Sequence, residues 1–191
     1  WAYIMINKIY RFAVYLACGL LFTACQTIDI SRVKNMTQPA KEQAQASIYC
    51  AGTPSCEFER MDNIALIDEK SHRVNKAAVK QGLVRWHAAQ MKKVSNLYLS
   101  VPAESHEVVI RFYPISQEKA EVLHVIHHFM PNQRYVFKMY RERNKHTGSL
   151  LNVSAPEPLC VDLLQDAQVI RRFCRPYNAM TGLGEFVEQK L

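Results

Sequence analysis

Hydrophobic and polar residues alternate most regularly between Arg134 and Arg141. Tyr135, Phe137 and Met139 would lie on one face of an extended chain, and the residues between them on the other, because successive side chains of a strand point to opposite sides. The alternation therefore predicts a strand with one buried face.

Three further apolar stretches in the same part of the chain have the lengths and boundaries of strands. Leu97–Val101 alternates and ends at a proline, and Glu107–Tyr113 is rich in β-branched and aromatic residues and ends at Pro114. Residues 122–129 form another apolar run before the turn dipeptide Pro131-Asn132. Short strands with turns every eight to twelve residues are typical of a sandwich or small barrel. We predict a mainly β chain, a small β-sandwich with short helical or irregular connections.

Two segments leave the choice between helix and strand open. Glu118–His128 could carry an apolar helical stripe, but its β-branched content and the turn that follows favour a strand. Leu159–Phe173 as a helix would hold Cys160 and Cys174 about 21 Å apart, beyond disulfide reach. A hairpin that turns near residues 165–168 would bring the two cysteines together at its open end. We favour the strand and the hairpin.

The first part of the chain carries a short apolar run, Phe12–Cys25, behind the cations Lys8 and Arg11. The run is too short for a comfortable transmembrane helix, which needs roughly 20 residues. A basic segment followed by a short apolar segment and a small residue is the layout of a secretory signal peptide. We interpret Met5 as the initiator and Trp1–Ile4 as upstream sequence. A retained membrane anchor and a buried helix are the alternatives.

Residues 5–25 resemble a bacterial lipoprotein signal peptide whose lipobox is Phe22-Thr23-Ala24-Cys25, with Phe22 where the family's best examples have Leu. The resemblance implies cleavage before Cys25, a diacylglycerol on its thiol and a third acyl chain, palmitate, on its new amino group. Gln26 stands where Asp would mark inner-membrane retention, which implies the outer membrane. Burial of acyl chains contributes about 0.8 kcal/mol per CH2, so three chains would anchor the protein permanently.

This interpretation divides the chain into three parts. Residues 1–24 are upstream sequence and signal peptide, 25–46 are the lipidated cysteine and a polar, flexible tether, and 47–191 are a β-rich periplasmic or surface domain. Removal of the signal would take two positive charges from a formal net charge of +7. The remaining basic balance would suit an anionic envelope component or an envelope protein as partner. We expect no nucleic-acid partner, because a lipidated compartment holds no genome.

Four cysteines remain for the folded domain: Cys50, Cys56, Cys160 and Cys174. An oxidising periplasm favours disulfides, and four cysteines allow three pairings. We predict the two local pairs, Cys50–Cys56 and Cys160–Cys174, because each pair brackets a credible turn. A zinc site would need closely spaced pairs of the CxxC kind, which these spacings do not supply.

A second resemblance covers the block from Leu97 to Phe137. Its Val101-Pro102-Ala103-Glu104-Ser105-His106 and its later Met130-Pro131-Asn132-Gln133-Arg134-Tyr135 are similar to the hairpin motifs of PEGA-type and transthyretin-like small β-sandwich modules of envelope lipoproteins. Glu104 and Asn132 stand where that family usually has Gly. The resemblance implies a sandwich fold and a binding or assembly role.

Candidate chemistry is sparse. His124 and His128 are weak candidates for metal ligands: on a helix they would lie one turn apart, but on a strand they would be about 13 Å apart. Glu104 with His106 or Glu107 is a conceivable acid–base pair, and the G-x-S-x-G and S-x-x-K motifs are absent. We expect no catalytic residue, no metal site and no cofactor besides the acyl chains on Cys25.

Two basic clusters lie near predicted turns: Arg141, Arg143 and Lys145, and Arg171, Arg172 and Arg175. They could contact lipid phosphates or an acidic protein, but solvated charges that discourage strand aggregation are the favoured interpretation.

The sequence as a whole predicts a non-enzymatic binding or assembly module anchored in the cell outer membrane. The alternatives are a lipoprotein subunit of a secretion or pilus machine, and a metal-binding or hydrolytic periplasmic protein that uses His124 and His128.

Overall fold

Two β-sheets form a sandwich in the computed structural model of the chain. The structure describes residue 36 and residues 44–68, 70–86, 96–142, 158–175 and 184–191. These residues belong to one compact unit, Asn35–Leu191. One sheet has seven strands in the order β11-β10-β9-β8-β1-β5-β4, and the other has four in the order β3-β2-β6-β7. The predicted mainly β sandwich is confirmed.

The described elements follow in chain order. They are β1 Gln45–Ala51, β2 Ser55–Met61, β3 Ile64–Ala65, α1 Lys76–Lys80, β4 Val84–Trp86, β5 Leu97–Pro102, β6 Ser105–Ser116, β7 Lys119–His128, β8 Arg134–Arg141, β9 Leu159–Gln165, β10 Gln168–Arg175 and β11 Val187–Gln189. The short helix α1 begins after Asn75, whose side-chain oxygen accepts a 2.9 Å hydrogen bond from the Ala77 amide. In the described part of the chain, no helix is long and apolar enough to cross a membrane.

The core lies between the inward faces of the two sheets. Ile48 of β1 and Tyr135 and Phe137 of β8 meet Ile110 and Phe112 of β6, and all five side chains are fully buried in one hydrophobic cluster. Burial of a large apolar side chain contributes about 1.5–3 kcal/mol. The alternation in β8 thus becomes one face of this core, as the sequence predicts.

A tight turn carries the chain from the seven-stranded sheet to the four-stranded one. Gly52, at the end of β1, has a φ of +96°, and a Cβ atom there would lie only 2.0 Å from the carbonyl oxygen of Met139. Only glycine adopts this conformation and allows so close an approach of two backbones. The turn places β1 beside β8, with which it pairs in parallel, and sends β2 into the opposite sheet.

Both predicted disulfides are present. Cys50–Cys56 joins β1 to β2 and so links the two sheets across the core, with 6.2 Å between the Cα atoms. Cys160–Cys174 joins directly opposed residues of β9 and β10, with 4.1 Å between the Cα atoms. One bridge therefore holds the layers together, and the other fastens two neighbouring strands.

The two ambiguous segments are strands. Residues 119–128 form β7, and 159–175 form the β9–β10 hairpin, whose turn residues Asp166 and Ala167 have positive φ. The hairpin predicted with its turn near 165–168 is confirmed.

Two other boundaries differ from the expected ones. The predicted end of β6 at Pro114 is wrong, since the strand continues to Ser116. Pro114 is tolerated within the strand because pairing with β2 ends at Tyr113 and the register with β7 shifts beyond Phe112. At such an irregularity proline removes no ladder hydrogen bond. Strand β1 begins at Gln45, within the last residues of the expected tether.

Candidate interaction surface on the four-stranded sheet

Strand β7 forms one edge of the four-stranded sheet. Its Leu123 and Val125 are buried in the sandwich, whereas Val122, Ile126 and His124 lie on the outer face. The exposed fraction is 38% for Val122 and 68% for Ile126. The strand thus carries branched apolar side chains on its solvent face as well as on its core face.

The three clustered histidines of β7 do not converge. The Nδ1 of His124 lies 3.7 Å from the Glu107 carboxylate, and the Nδ1 of His128 lies 3.2 Å from the hydroxyl oxygen of Ser105. His127 points inward, where its ring packs edge-on against Phe129 at a centroid distance of 4.9 Å. On a strand, residues four apart are separated by about 13 Å, too far to bind one ion.

One group of metal-ligand types does come together among the described residues. It consists of Glu142, Cys160 and Cys174, whose ligand atoms lie within 4.8 Å of one another. Both sulfurs belong to the Cys160–Cys174 disulfide, so neither is a thiolate that could bind a metal.

Beside β7, the outer face of the sheet is a ladder of paired charges. Arg60 donates two hydrogen bonds to the Glu107 carboxylate, at 2.8 and 3.1 Å. These bonds hold the pKa of the Glu107 carboxyl below its usual range. Arg111 pairs with Glu59 at 2.6 Å in the same way. The charged side chains on this face therefore neutralise one another, and the exposed apolar side chains lie on β7, at the edge of the sheet.

The ladder continues towards the other end of the sheet. The Tyr113 hydroxyl donates to Glu57, which also lies 2.9 Å from the Nδ1 of His72. Burial, together with the bond to Glu57, raises the pKa of Tyr113 to about 12. Tyr113 therefore stays a neutral hydrogen-bond donor at physiological pH.

His106, named in the conceivable acid–base pair, is a buried structural residue. The residue is 5% exposed, its Nδ1 lies 2.7 Å from Asp62, and its Nε2 lies 3.2 Å from the carbonyl oxygen of Pro102. Asp62 also accepts a 2.9 Å hydrogen bond from the Glu107 amide. Glu104 is exposed, and its carboxylate lies 3.7 Å from the His106 ring. These contacts fasten the β2–β3 turn to the start of β6.

Sequence reasoning did not include Asp62 in this group. Asp62 lies 44 residues before His106, so no local sequence pattern links the two residues. Asp62 has a positive φ of 48°, a conformation that Asp tolerates better than most residues. The turn, rather than chemistry, explains why an aspartate is there.

The Arg171, Arg172 and Arg175 cluster is engaged in ion pairs. Arg172 makes two hydrogen bonds with Asp162, at 2.7 and 3.0 Å, and Arg175 pairs with Glu121 of β7. These contacts agree with the structural interpretation of the cluster. Of the other predicted cluster, Arg143 and Lys145 lie outside the described residues.

Arg171 closes the open side of the sandwich. It makes two hydrogen bonds to Glu188 of β11, at 2.6 and 2.7 Å, and a third, of 2.7 Å, to the backbone carbonyl of Ile126. Burial and the nearby charge of Arg171 lower the pKa of His127. The β10–β11 edge is thereby fastened to the backbone of β7.

A groove of about 820 Å³ runs beside the first half of β7. One wall is formed by Lys119–His124, and the other by Arg175 and the segment 184–186. The predicted lipidation residue, Cys25, lies outside the described residues. Comparison of the chain with protein-family models, curated proteins and solved structures finds no match.

Proposed function

We propose that this chain is a lipid-anchored envelope protein that acts as a non-enzymatic binding or assembly module. Its anchor is Cys25, carrying a diacylglycerol and an N-linked acyl chain, and its location is the outer membrane. The lipobox, the basic segment before it and Gln26 after it support the anchor and the location. The two disulfides agree with an oxidising compartment.

The observation that carries the binding role is the apolar solvent face of β7. Edge strands are normally protected by charges or prolines against pairing with other chains. Here Ile126 and Val122 are exposed on the edge strand, Met130 is exposed just after it, and Ile115 is exposed at the end of β6, beside the start of β7. Exposed apolar clusters of this kind mark interaction surfaces.

A non-enzymatic role fits the side chains near this surface. Among the described residues, Ser105 and His128 bring a hydroxyl and an imidazole together, with 3.2 Å between Oγ and Nδ1. Both residues are exposed, and in that part of the chain no carboxylate contacts His128 to orient its ring as a triad requires. The acid–base residue His106 is buried and has its ring nitrogens occupied.

Metabolic labelling with a fatty-acid probe tests the anchor. Labelling of the full chain should be lost in Cys25→Ser, while the same change at Cys18 should leave it intact. Persistent labelling of Cys25→Ser would contradict the anchoring proposal.

Affinity capture from detergent-solubilised envelopes tests the binding role. Proteins captured by the wild-type full chain should be lost with Ile126→Lys. Trp86→Lys is the matched control, because Trp86 is also an exposed apolar residue on an edge strand, at the far side of the other sheet. Equal capture by all three chains would reject β7 as the binding surface.

A further inference from the structure

The free edge of β7 has a definite backbone register. The Phe129 amide donates a 3.0 Å hydrogen bond to the Glu104 carbonyl, and β6 and β7 pair in register from Ser105–His128 back to Phe112–Glu121. In an antiparallel ladder, alternate residues bond to the same neighbour. Odd-numbered residues of β7 therefore bond to β6, and even-numbered residues present their N–H and C=O groups to the free edge.

The contact of Arg171 agrees with this alternation. Its guanidinium donates to the carbonyl oxygen of Ile126, an even-numbered residue whose carbonyl faces away from β6 in this register. Within the described strands, β7 pairs with β6 alone, and the backbone groups of Val122 and His124 have no strand partner at the free edge. An unpaired row of donors and acceptors is a template for another strand.

We propose that this edge binds a second copy of the same chain, β7 against β7 in antiparallel orientation about a twofold axis through His124. A twofold axis must place even-numbered residues opposite even-numbered ones, which an axis through any residue of the strand allows. Of these axes, only the one at His124 places the exposed Val122 opposite the exposed Ile126. An axis at His124 pairs residues 120–128 with their counterparts, whereas an axis at Val122 pairs only 119–125.

The side chains match in this register. Val122 of each copy lies opposite Ile126 of the other, so the two exposed apolar residues of the strand cover one another. On the inward face, Leu123 meets Val125 and Glu121 meets His127. The axis at Val122 would instead place Lys119 opposite the buried Val125. The pattern of β7 is therefore self-complementary about His124.

The charged groups around β7 leave room for the second strand. Glu121 is paired with Arg175, and Glu107 with Arg60, so neither presents an uncompensated charge to the incoming copy. The groove beside Lys119–His124 leaves space for another strand along this half of the edge. The carbonyl oxygen of Ile126 accepts from Arg171 and has a second lone pair for an amide. The two four-stranded sheets would join into one continuous sheet.

Cysteine cross-linking in cells that express the full chain tests both the pairing and its register. His124→Cys should give a covalent dimer on non-reducing gels, because residue 124 lies opposite itself. Ile126→Cys alone should not, but chains with Val122→Cys and Ile126→Cys, expressed together with different tags, should cross-link to each other. Lys138→Cys, on the exposed face of β8, and the wild type, with its native cysteines, are the controls.

Each outcome decides the proposal. Cross-linking of His124→Cys no greater than that of Lys138→Cys would overturn it, and equal self-linking of Ile126→Cys would overturn the register. The cross-linking is repeated in chains that also carry Cys25→Ser. The same cross-links there would show that pairing does not depend on the lipid anchor, so this test remains valid even if Cys25 is not lipidated.

Two substitutions should separate pairing from folding. His124→Pro removes an edge amide that has no partner in the single copy, and proline is tolerated at such positions. Ile126→Lys places a charge opposite Val122 twice per dimer and should weaken association at least about tenfold. Both variants should keep the wild-type circular dichroism spectrum while sedimenting as single copies. A folded His124→Pro variant that still dimerises would contradict the proposal.

Discussion

Strands β10 and β7 face each other across the open side of the sandwich, and they differ in how many strands pair with them and in the side chains they expose. β10 lies between β9 and β11, its arginines are ion-paired, and a disulfide joins it to β9. β7 has a partner on one side only and carries exposed Val122 and Ile126. The charged side chains of β10 therefore stabilise the fold, whereas the exposed apolar side chains of β7 form the proposed interaction surface.

The largest difference between the strands should be in stability. Replacement of both Cys160 and Cys174 by Ser should lower the free energy of unfolding by about 3 kcal/mol, the loss expected when a loop of about 15 residues is opened. Urea unfolding of the oxidised protein measures it. A loss no larger than that of a single surface substitution would mean that β10 owes its order to packing alone.

A smaller loss is expected at the contact between the two strands. Arg171→Ala removes the ion pair with Glu188 and the hydrogen bond to the Ile126 carbonyl, and should cost about 1 kcal/mol, because partly exposed ion pairs are screened. Arg141→Ala, at an exposed arginine of β8, is the matched control and should cost less than about 0.5 kcal/mol. Equal losses in the two variants would remove the special role of Arg171.

The change in the free energy of unfolding with pH that comes from His127 of β7 should be smaller than either of these losses. Burial and the charges of Arg171 and His128 lower the folded-state pKa of His127, while Glu188 opposes them. The unfolded state then binds more protons below pH ~6.5, so stability should fall as the pH drops through that range. His127→Gln should flatten this slope, as measured by urea unfolding at a series of pH values. An unchanged slope in His127→Gln would contradict the assignment.

Much of the fold could be predicted because its signals are local. Alternation predicted β8, and the spacing of Cys160 and Cys174 argued for a hairpin. The parallel pairing of β1 with β8 has no such signal, since Ser47 and Arg134 are far apart in sequence. The candidate site was harder to predict: the sequence singled out the histidines of β7 as ligands, whereas the proposed interaction surface rests on the exposed Ile126 beside them.

The smallest effect on stability should accompany the largest effect on association. Ile126→Lys changes a side chain that is mostly solvent-exposed in the single copy, so its free energy of unfolding should stay within about 0.5 kcal/mol of the wild type at concentrations where both are single copies. Chemical denaturation of the diluted proteins measures this. A loss of 2 kcal/mol or more would mean that Ile126 supports the fold and not an interface.

Residue-resolved amide hydrogen exchange tests the β7 interface most directly. The amides of Leu123 and Val125 bond within the sheet and should be protected at every protein concentration. The amides of Val122 and His124 face the free edge, so their protection should appear only as the concentration rises and the second copy binds. Rapid exchange of Val122 and His124 at all concentrations, with 123 and 125 protected, would contradict the account.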